Sequence, residues 1–317
     1  MECDLLVVGS GASGFAAAAT AAWHGLRVVL VEKDSTFGGA TSWSGGWIWA
    51  PGNHLAVQSG IYEDPEQPRT YLRHALGERY DAARLEAFLT HAPHMVRFFD
   101  AHTALQFAEG NSIPDMHGHL PGAATGGHQV AAAPLDGREL GSLLKRLRTT
   151  MRETSFLGMP IMAGADLGAF LTATRSWRSF VHVARRVTRH VVDLVVHGRA
   201  LQLVNGVALI GRLAKSAEQL GVTLMTSTSA QRLFVDQGRV TGAWVQTPQG
   251  GVSIHASHGV VLATGGFPHD IERRKRHFPR TPTGVEHLAL PPESCAGDGI
   301  TLGESVGGQL EIQLASP

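Results

Sequence analysis

The sequence predicts an α/β fold in which a parallel, helix-flanked sheet carries an antiparallel meander and accommodates a helical insertion. Three observations predict it. An apolar run, a glycine turn, an alanine-rich stretch and a β-branched run follow one another within residues 4–32, which is the order of a βαβ unit. Residues 222–255 alternate at period two between strong turn signals, as antiparallel strands do. Residues 259–264 then form a run apolar enough for a strand buried on both faces, which returns the chain to the parallel layer.

Each element has its own reason. Residues 4–8 combine leucine and valine and are followed by glycine, as a buried parallel strand requires. Residues 15–24 are rich in alanine, which favours helix and lets it pack closely on a strand. Gly25 stands at the C-terminal cap, and residues 27–32 read as the second strand. Residues 38–52 carry so many glycines among tryptophan, serine and threonine that they read as a loop approaching a flat ligand, not as a regular element. Residues 65–105 repeat apolar positions at three or four, with Pro93 expected to end the second helix. Residues 110–137 read as an irregular excursion and residues 140–151 as helix again.

In residues 177–196 the apolar positions Trp177, Phe180, Val181, Ala184, Val187, Val191 and Val195 share a helical face, and the arginines lie mostly off it. Two readings fit: a solvated helix whose apolar face covers a core, or a peripheral contact with an anionic membrane. Residues 206–220 form another helix, and strands are expected at 222–226, 231–235, 240–245 and 251–255.

Composition narrows the function. Lysine plus arginine and aspartate plus glutamate both count 27, so a basic footprint for nucleic acid is absent. The 38 glycines follow no Gly-X-Y period, and 43% hydrophobic content argues against disorder. Cys3 and Cys295 fit neither a disulfide framework nor a zinc pattern, and the 17 histidines form no metal-ligand spacing, so no metal is expected. No basic leader precedes the first strand and no apolar run spans a bilayer, so a cytoplasmic setting is expected.

Gly9, Gly11 and Gly14 stand in GxGxxG spacing between the first strand and helix. There the glycines permit a tight turn, a close backbone approach to pyrophosphate and close helix packing, and Ser10, Ala12 and Ser13 fill the same turn. The helix N-terminus supplies N–H groups and a positive dipole end to the anion. Glu32 closes the second strand 18 residues after the third glycine, where an acid binds ribose hydroxyls. This much fits either NAD or FAD.

Further motifs separate the two. Glu32-Lys33, Gly38-Gly39-Ala40-Thr41-Ser42-Trp43-Ser44-Gly45-Gly46, the run from Val260 to Phe267, and Gly297-Asp298-Gly299-Ile300 together resemble the flavoprotein family of fumarate reductase, succinate dehydrogenase and the 3-ketosteroid dehydrogenases. The resemblance covers nearly the whole chain. It implies a Rossmann-like FAD-binding domain at 1–270 with a helical insertion at about 60–200, and the start of a substrate-capping domain at 271–317. It implies that Ala40, Thr41, Ser42, Ser44, Gly45 and Gly46 wrap the cofactor, that Ser229-Ala230 meets the adenine by backbone, that Ala263-Thr264-Gly265 covers the dinucleotide, and that Asp298 binds it. Members with covalent FAD attach it through a histidine in the loop, and residues 41–46 contain none, so the flavin is expected to be non-covalent.

Trp47-Ile48-Trp49 and the residues around Asp136-Gly137-Arg138 look most like the ketosteroid branch. Where that branch has an active-site tyrosine in a Pro-Asp-Tyr segment, this sequence reads Pro114-Asp115-Met116, and methionine is neither acid nor base. Family members also continue past the segment matching Gly297-Asp298-Gly299, so the chain reads as truncated at its C-terminus and no catalytic residue is assigned. The expected activity is hydride transfer between flavin and a C–C bond next to a carbonyl, in a small hydrophobic or carboxylate substrate such as a 3-ketosteroid or an enoate. A separate electron donor or acceptor serves it, because the chain has no cysteine run for an iron–sulfur cluster. The alternatives are a catalytically incompetent flavoprotein fragment and an NAD-dependent dehydrogenase.

Overall fold

The computed structural model describes residues 1–286 and 288–312, and the chain divides into two compact units. The first comprises Met1–Trp43, Leu140–Thr149 and Leu213–Pro317; the second comprises Ser44–Glu139 and Thr150–Arg212.

In the first unit, β1 (Glu2–Val8), helix α1 (Ala12–Trp23) and β2 (Val28–Val31) form the βαβ unit. They are joined by β3 (Thr223–Met225), β4 (Ser229–Asp236), β5 (Arg239–Thr247) and β6 (Gly250–Leu262) in one six-stranded sheet of order β3-β2-β1-β6-β5-β4. β1 lies parallel to β2, with Val8 opposite Val31, and parallel to β6, with Val8 opposite Leu262. Leu6, Val7, Leu30 and Val31 are fully buried, which explains why these strands read as continuous apolar runs and not as alternating ones. Burying each such side chain contributes about 1.5–3 kcal/mol. α1 buries Phe15, Ala18 and Ala19, and Phe15 meets Phe37 edge to face at 5.5 Å.

The sequence reads two strands at 251–255 and 259–264, whereas β6 is one strand of 13 residues. Its first half pairs antiparallel with β5 and its second half parallel with β1. Between Cys3 and Leu5 β1 advances two residues while β6 advances from Ala256 to Gly259, so a bulge absorbs the mismatch and the ladder continues. The helix expected at 140–151 is instead a set of 3₁₀ turns at Gly137–Arg146, interrupted at Gly141 with φ 50°. Leu140, Leu143 and Leu147 are buried, and their spacing suits the tighter helix as well as the α-helix.

In the second unit, Trp47–Trp49, Gln129–Ala132 and Phe107–Glu109 form an antiparallel sheet with Gln129–Ala132 central. The stretch 38–52 is therefore not all loop: Gly39–Trp43 is a 3₁₀ turn, and Trp47-Ile48-Trp49 pairs with Ala131, Val130 and Gln129. Pro93 does not end its helix either. Ala82–His102 runs through it, because burial of Ala92, Val96 and Phe99 on both sides outweighs the one backbone hydrogen bond a proline removes.

The helix Trp177–His197 starts at its Ser176 cap and ends at Gly198 in the left-handed region. Its inward side carries His190 and Asp193, while Trp177, Phe180, Val181, Val191 and Val195 are exposed. The reading in which the apolar face covers a core is thus overturned. Polar groups decide the orientation: Arg138 pairs with Asp193 at 2.7 Å, and Asp166 takes His182 at 2.7 Å and Arg186 at 2.6 Å. Among the described residues no helix is long and apolar enough to cross a membrane.

Candidate functional site

The ends of β1, β2 and β6 converge on the N-terminus of α1, all within the first unit. After Val8 the chain turns at Gly9, φ 102°, whose N–H donates to the Val31 carbonyl at 2.8 Å. A Cβ on Gly9 would strike the Ala263 carbonyl, its carbon at 2.7 Å, so a side chain there has neither the space nor the backbone conformation. A Cβ on Gly14 would collide with the Gly9 carbonyl oxygen, which fixes how closely α1 leaves its own turn. Gly11 differs: its φ is −71°, and a Cβ would find only Thr41 Oγ1 at 3.7 Å.

α1 has no side-chain cap at Gly11, and the Ala12 N–H donates to Thr41 Oγ1 at 3.2 Å. Beside this helix end lies a cavity of about 540 Å³, inside the range of roughly 300–1,000 Å³ that small-molecule and cofactor sites occupy. Its walls bring the positive end of the helix dipole to the open space, which suits a phosphate. Lys33 is the lysine in the lining, whereas Glu32, Asp298 and Glu304 all face it. An anionic ligand in this cavity would meet backbone N–H groups more than cations.

Glu32 is buried at the base of the site and accepts from Ser10 Oγ at 2.5 Å, Ser10 N at 3.0 Å and Asp34 N at 2.9 Å. Ser10 Oγ in turn accepts from Gly38 N at 3.1 Å, so one hydroxyl ties the glycine turn, the acid and the next loop together. Lys33 Nζ lies 2.6 Å from Asp298 Oδ2. Two residues picked from separate motifs are thus partners across the same opening. Burial alone would disfavour ionised Asp34, but the Arg148 guanidinium against it holds its carboxyl below the usual range.

Thr264 follows β6, and its Oγ1 accepts from the Gly299 N–H at 3.0 Å, which docks the helix Asp298–Glu304 against the strand end. Thr264→Val keeps the shape and removes the acceptor from a buried donor. The expected loss is about 1–3 kcal/mol of stability in urea unfolding; a midpoint unchanged from wild type would remove this contact from the account.

Of the residues predicted from sequence, Gly9, Ser10, Gly11, Ala12, Ser13, Glu32, Lys33, Ala40, Thr41, Ala230, Ala263, Thr264, Gly265 and Asp298 line the cavity. Gly14 lies behind it as a packing glycine, and Ser42 is buried without lining it. Ser44, Gly45 and Gly46 belong to the second unit. There a Cβ on Gly46 would meet the Asn205 carbonyl carbon and Gly206 nitrogen at 2.6 Å, and Gly206 N donates to the Ser44 carbonyl at 3.1 Å.

The sequence reading missed Thr228, Ser294, Cys295 and Glu304 in the lining. Thr228 stands one residue before Ser229-Ala230, and Glu304 closes the helix that Asp298 opens, so adjacency was their available signal. Arg273 holds the Glu304 carboxyl below the usual carboxylate range from 2.6 Å. Burial first, and then the charge of Glu32, push the Cys295 thiol up, so it stays protonated at neutral pH.

The sequence profile of the family described as FAD binding domain matches residues 4–316. The 4-oxocyclohex-2-ene-1-carboxylate 5-dehydrogenase of Sinomonas cyclohexanicum is 35% identical over 317 residues, covering 100% of this chain and 53% of that protein. The 3-oxosteroid 1-dehydrogenase of Mycobacterium tuberculosis is 32% identical, covering 98% of this chain and 55% of that one. Among solved structures, the 3-ketosteroid Δ1-dehydrogenase of Sterolibacterium denitrificans in complex with 1,4-androstadiene-3,17-dione superposes with a TM-score of 0.86 at 29% identity, covering 97% of this chain and 55% of that one. A flavocytochrome c3 fumarate reductase shares the fold at a TM-score of 0.59 and 20% identity. The chain spans about half the length of the relatives it matches.

Proposed function

Because the chain belongs to the FAD binding domain family, we propose that it is the cofactor-binding part of an FAD-dependent oxidoreductase acting on a C–C bond next to a ring carbonyl. The observation that carries this reading is the cavity in the first unit, where Gly9 passes under Ala263 and Glu32 closes the base. The relatives support the substrate class: a cyclic ketone of the 3-ketosteroid or 4-oxocyclohexenecarboxylate kind.

The residues present fit FAD. Two glycines stand where a Cβ has no room, an uncapped helix N-terminus faces the cavity, and a buried acid is held ready for a hydroxyl pair. FAD, when bound, supplies the hydride acceptor or donor. Gly11, Ala12 and Ser13 would hold its pyrophosphate by backbone and Glu32 its ribose, while Ala230, Ala263, Thr264 and Gly265 would shape the remaining wall. Lys33 and Asp298 neutralise each other at the opening, which keeps a lone positive charge from fixing the ligand wrongly. Ser42, Ser44, Gly45 and Gly46 complete the wrap in this proposal.

Met116 is 89% exposed, so the position that carries tyrosine in the ketosteroid branch presents a thioether that cannot polarise a ketone. That counts against Δ1-oxidation of a 3-ketosteroid through this position. The domain boundaries at 270 and 271 belong to the same proposal, as do a separate electron acceptor and a cytoplasmic setting, the latter supported by two buried free cysteines.

Purified chain reconstituted with FAD is expected to be yellow, to bleach anaerobically with dithionite, and to release all its flavin to the supernatant on acid precipitation, because residues 41–46 contain no histidine and none lines the cavity among the described residues. A colourless chain that takes up no FAD overturns the flavin reading, and tight NADH binding in its place selects the NAD-dependent alternative. Flavin retained by the acid pellet would overturn non-covalent attachment alone.

A further inference from the structure

We propose that the outward face of the helix Trp177–His197 is a docking surface for an anionic lipid membrane, an inference independent of the redox reading. The helix lies on the second unit with its polar side inward. The shorter helix Ala165–Leu171 packs against that side, through Asp166 to His182 and Arg186, and through Thr172 Oγ1 to Ser179 Oγ at 2.9 Å.

What faces out is a stripe. Trp177, 77% exposed, stacks on Phe180 at 5.5 Å, and Val181, Val191 and Val195, the last 81% exposed, extend the apolar surface along the helix. At 21 residues the helix is on the order of 30 Å long. This is an amphipathic helix turned the wrong way for a buried element and the right way for a membrane interface, with aromatic residues at one end, where their rings suit the headgroup level.

Charge selects the partner. Arg175, Arg178 and Arg185 are exposed and make no ion pair among the described residues, whereas Arg186 and Arg189 are engaged by Asp166 and Asp136. The segment from Leu167 to Val192 contains no acid, and Asp193 is buried against Arg138. A second copy of this face would bring no negative charge to those arginines. An anionic bilayer supplies negative headgroups for them and an apolar interior for the stripe beside them, so one surface satisfies both halves of the pattern.

Co-sedimentation of the full chain with vesicles tests this. Vesicles of mixed phosphatidylcholine and phosphatidylserine are expected to pull the chain down at low salt, and pure phosphatidylcholine vesicles are not. Each arginine near an anionic surface is worth about a fivefold factor in partitioning, so joint Arg175→Glu, Arg178→Glu and Arg185→Glu is expected to lower binding by at least about 100-fold. Brominated lipids are expected to quench tryptophan fluorescence, with the quenching lost in Trp177→Ser. Circular dichroism identical to wild type shows that the exposed substitutions leave the fold intact. Failure to bind anionic vesicles, or binding that neither set of changes weakens, overturns the proposal. So does sedimentation equilibrium showing a dimer that Trp177→Ser converts to monomer, because the face would then belong to a second copy.

Discussion

Gly11→Val is expected to leave the chain folded and reduce its FAD affinity by more than about 100-fold, while Gly14→Val is expected to prevent the first unit from folding as it does here. The two glycines belong to one motif, and the structure gives them different work. Gly11 lies in an ordinary backbone region, and its Cβ would meet only Thr41 Oγ1 at 3.7 Å, so nothing in the protein opposes a side chain there. It lines the cavity beside the uncapped end of α1, so the added methyls occupy the space through which backbone N–H groups reach a pyrophosphate. Losing that approach removes several charge-assisted hydrogen bonds, each about 1.5–3 kcal/mol, and two of them suffice for the stated factor. Gly14 faces the other way. Its Cβ would overlap the Gly9 carbonyl oxygen, which is backbone and cannot rotate aside, so α1 must move off β1 and β6 and uncover Phe15 and Ala18. Urea unfolding followed by circular dichroism, with FAD titration monitored by flavin fluorescence, separates the two. Equal stability losses for both variants, or undiminished FAD affinity in Gly11→Val, would show that this division is mistaken.

The division also shows what the sequence made legible. The glycine turn, Glu32 and the strand end at Ala263–Thr264 were readable because each is a local pattern: turn chemistry, a strand-terminal acid and a fully buried run do not depend on distant partners. Pairings across the fold were not readable. Nothing near Lys33 announces Asp298, and nothing near Ser10 announces that its hydroxyl accepts from Gly38. Continuity was also invisible at β6, where His255 to Gly259 looks like a break until β1 supplies a partner strand and a bulge absorbs the offset. The helix Trp177–His197 misled for a related reason. One of the two readings of its apolar period puts that side against a core, and tertiary ion pairs to Asp193 and Asp166 turn the opposite face inward. Period states that a helix has two sides; it does not state which one is covered.

The second large effect is expected at Asp115, which sits deep in the second unit beside the exposed Met116. Its carboxylate accepts from Trp49 Nε1 at 2.7 Å, from the Ala124 N–H at 2.9 Å and from His128 Nδ1 at 2.9 Å. His128 is fully buried, and its Nε2 lies 3.2 Å from Glu63 Oε2, a close electrostatic approach more than an aligned hydrogen bond. Trp49 stacks on Phe88 at 5.9 Å and meets the His128 ring edge-on at 5.3 Å, so the indole sits between an apolar contact and the charged pair. Asp115→Ala strands three donors and leaves His128 with one poorly aligned acid. Breaking a buried pair in this way costs about 3–5 kcal/mol, a large fraction of a domain's usual total of about 5–15 kcal/mol. Asp115→Asn keeps the volume and one acceptor, so its loss is expected to be smaller, with the Trp49 contact retained. The histidine adds a pH signature. Burial works against the imidazolium, but Glu63 and then Asp115 override it and hold the His128 pKa above its ordinary value. A group raised on folding contributes stability that is complete below its unfolded pKa, about 6.5, and is lost as pH rises through the higher folded value. Wild-type stability is therefore expected to fall as pH climbs from about 6.5 through that value, and the fall is expected to flatten in Asp115→Ala, where one of the two acids that sustain the imidazolium is gone. Urea midpoints measured across that window decide it. A wild type whose stability rises through the window would show that His128 is held neutral, and a slope unchanged in Asp115→Ala would show that the carboxylate does not sustain its charge.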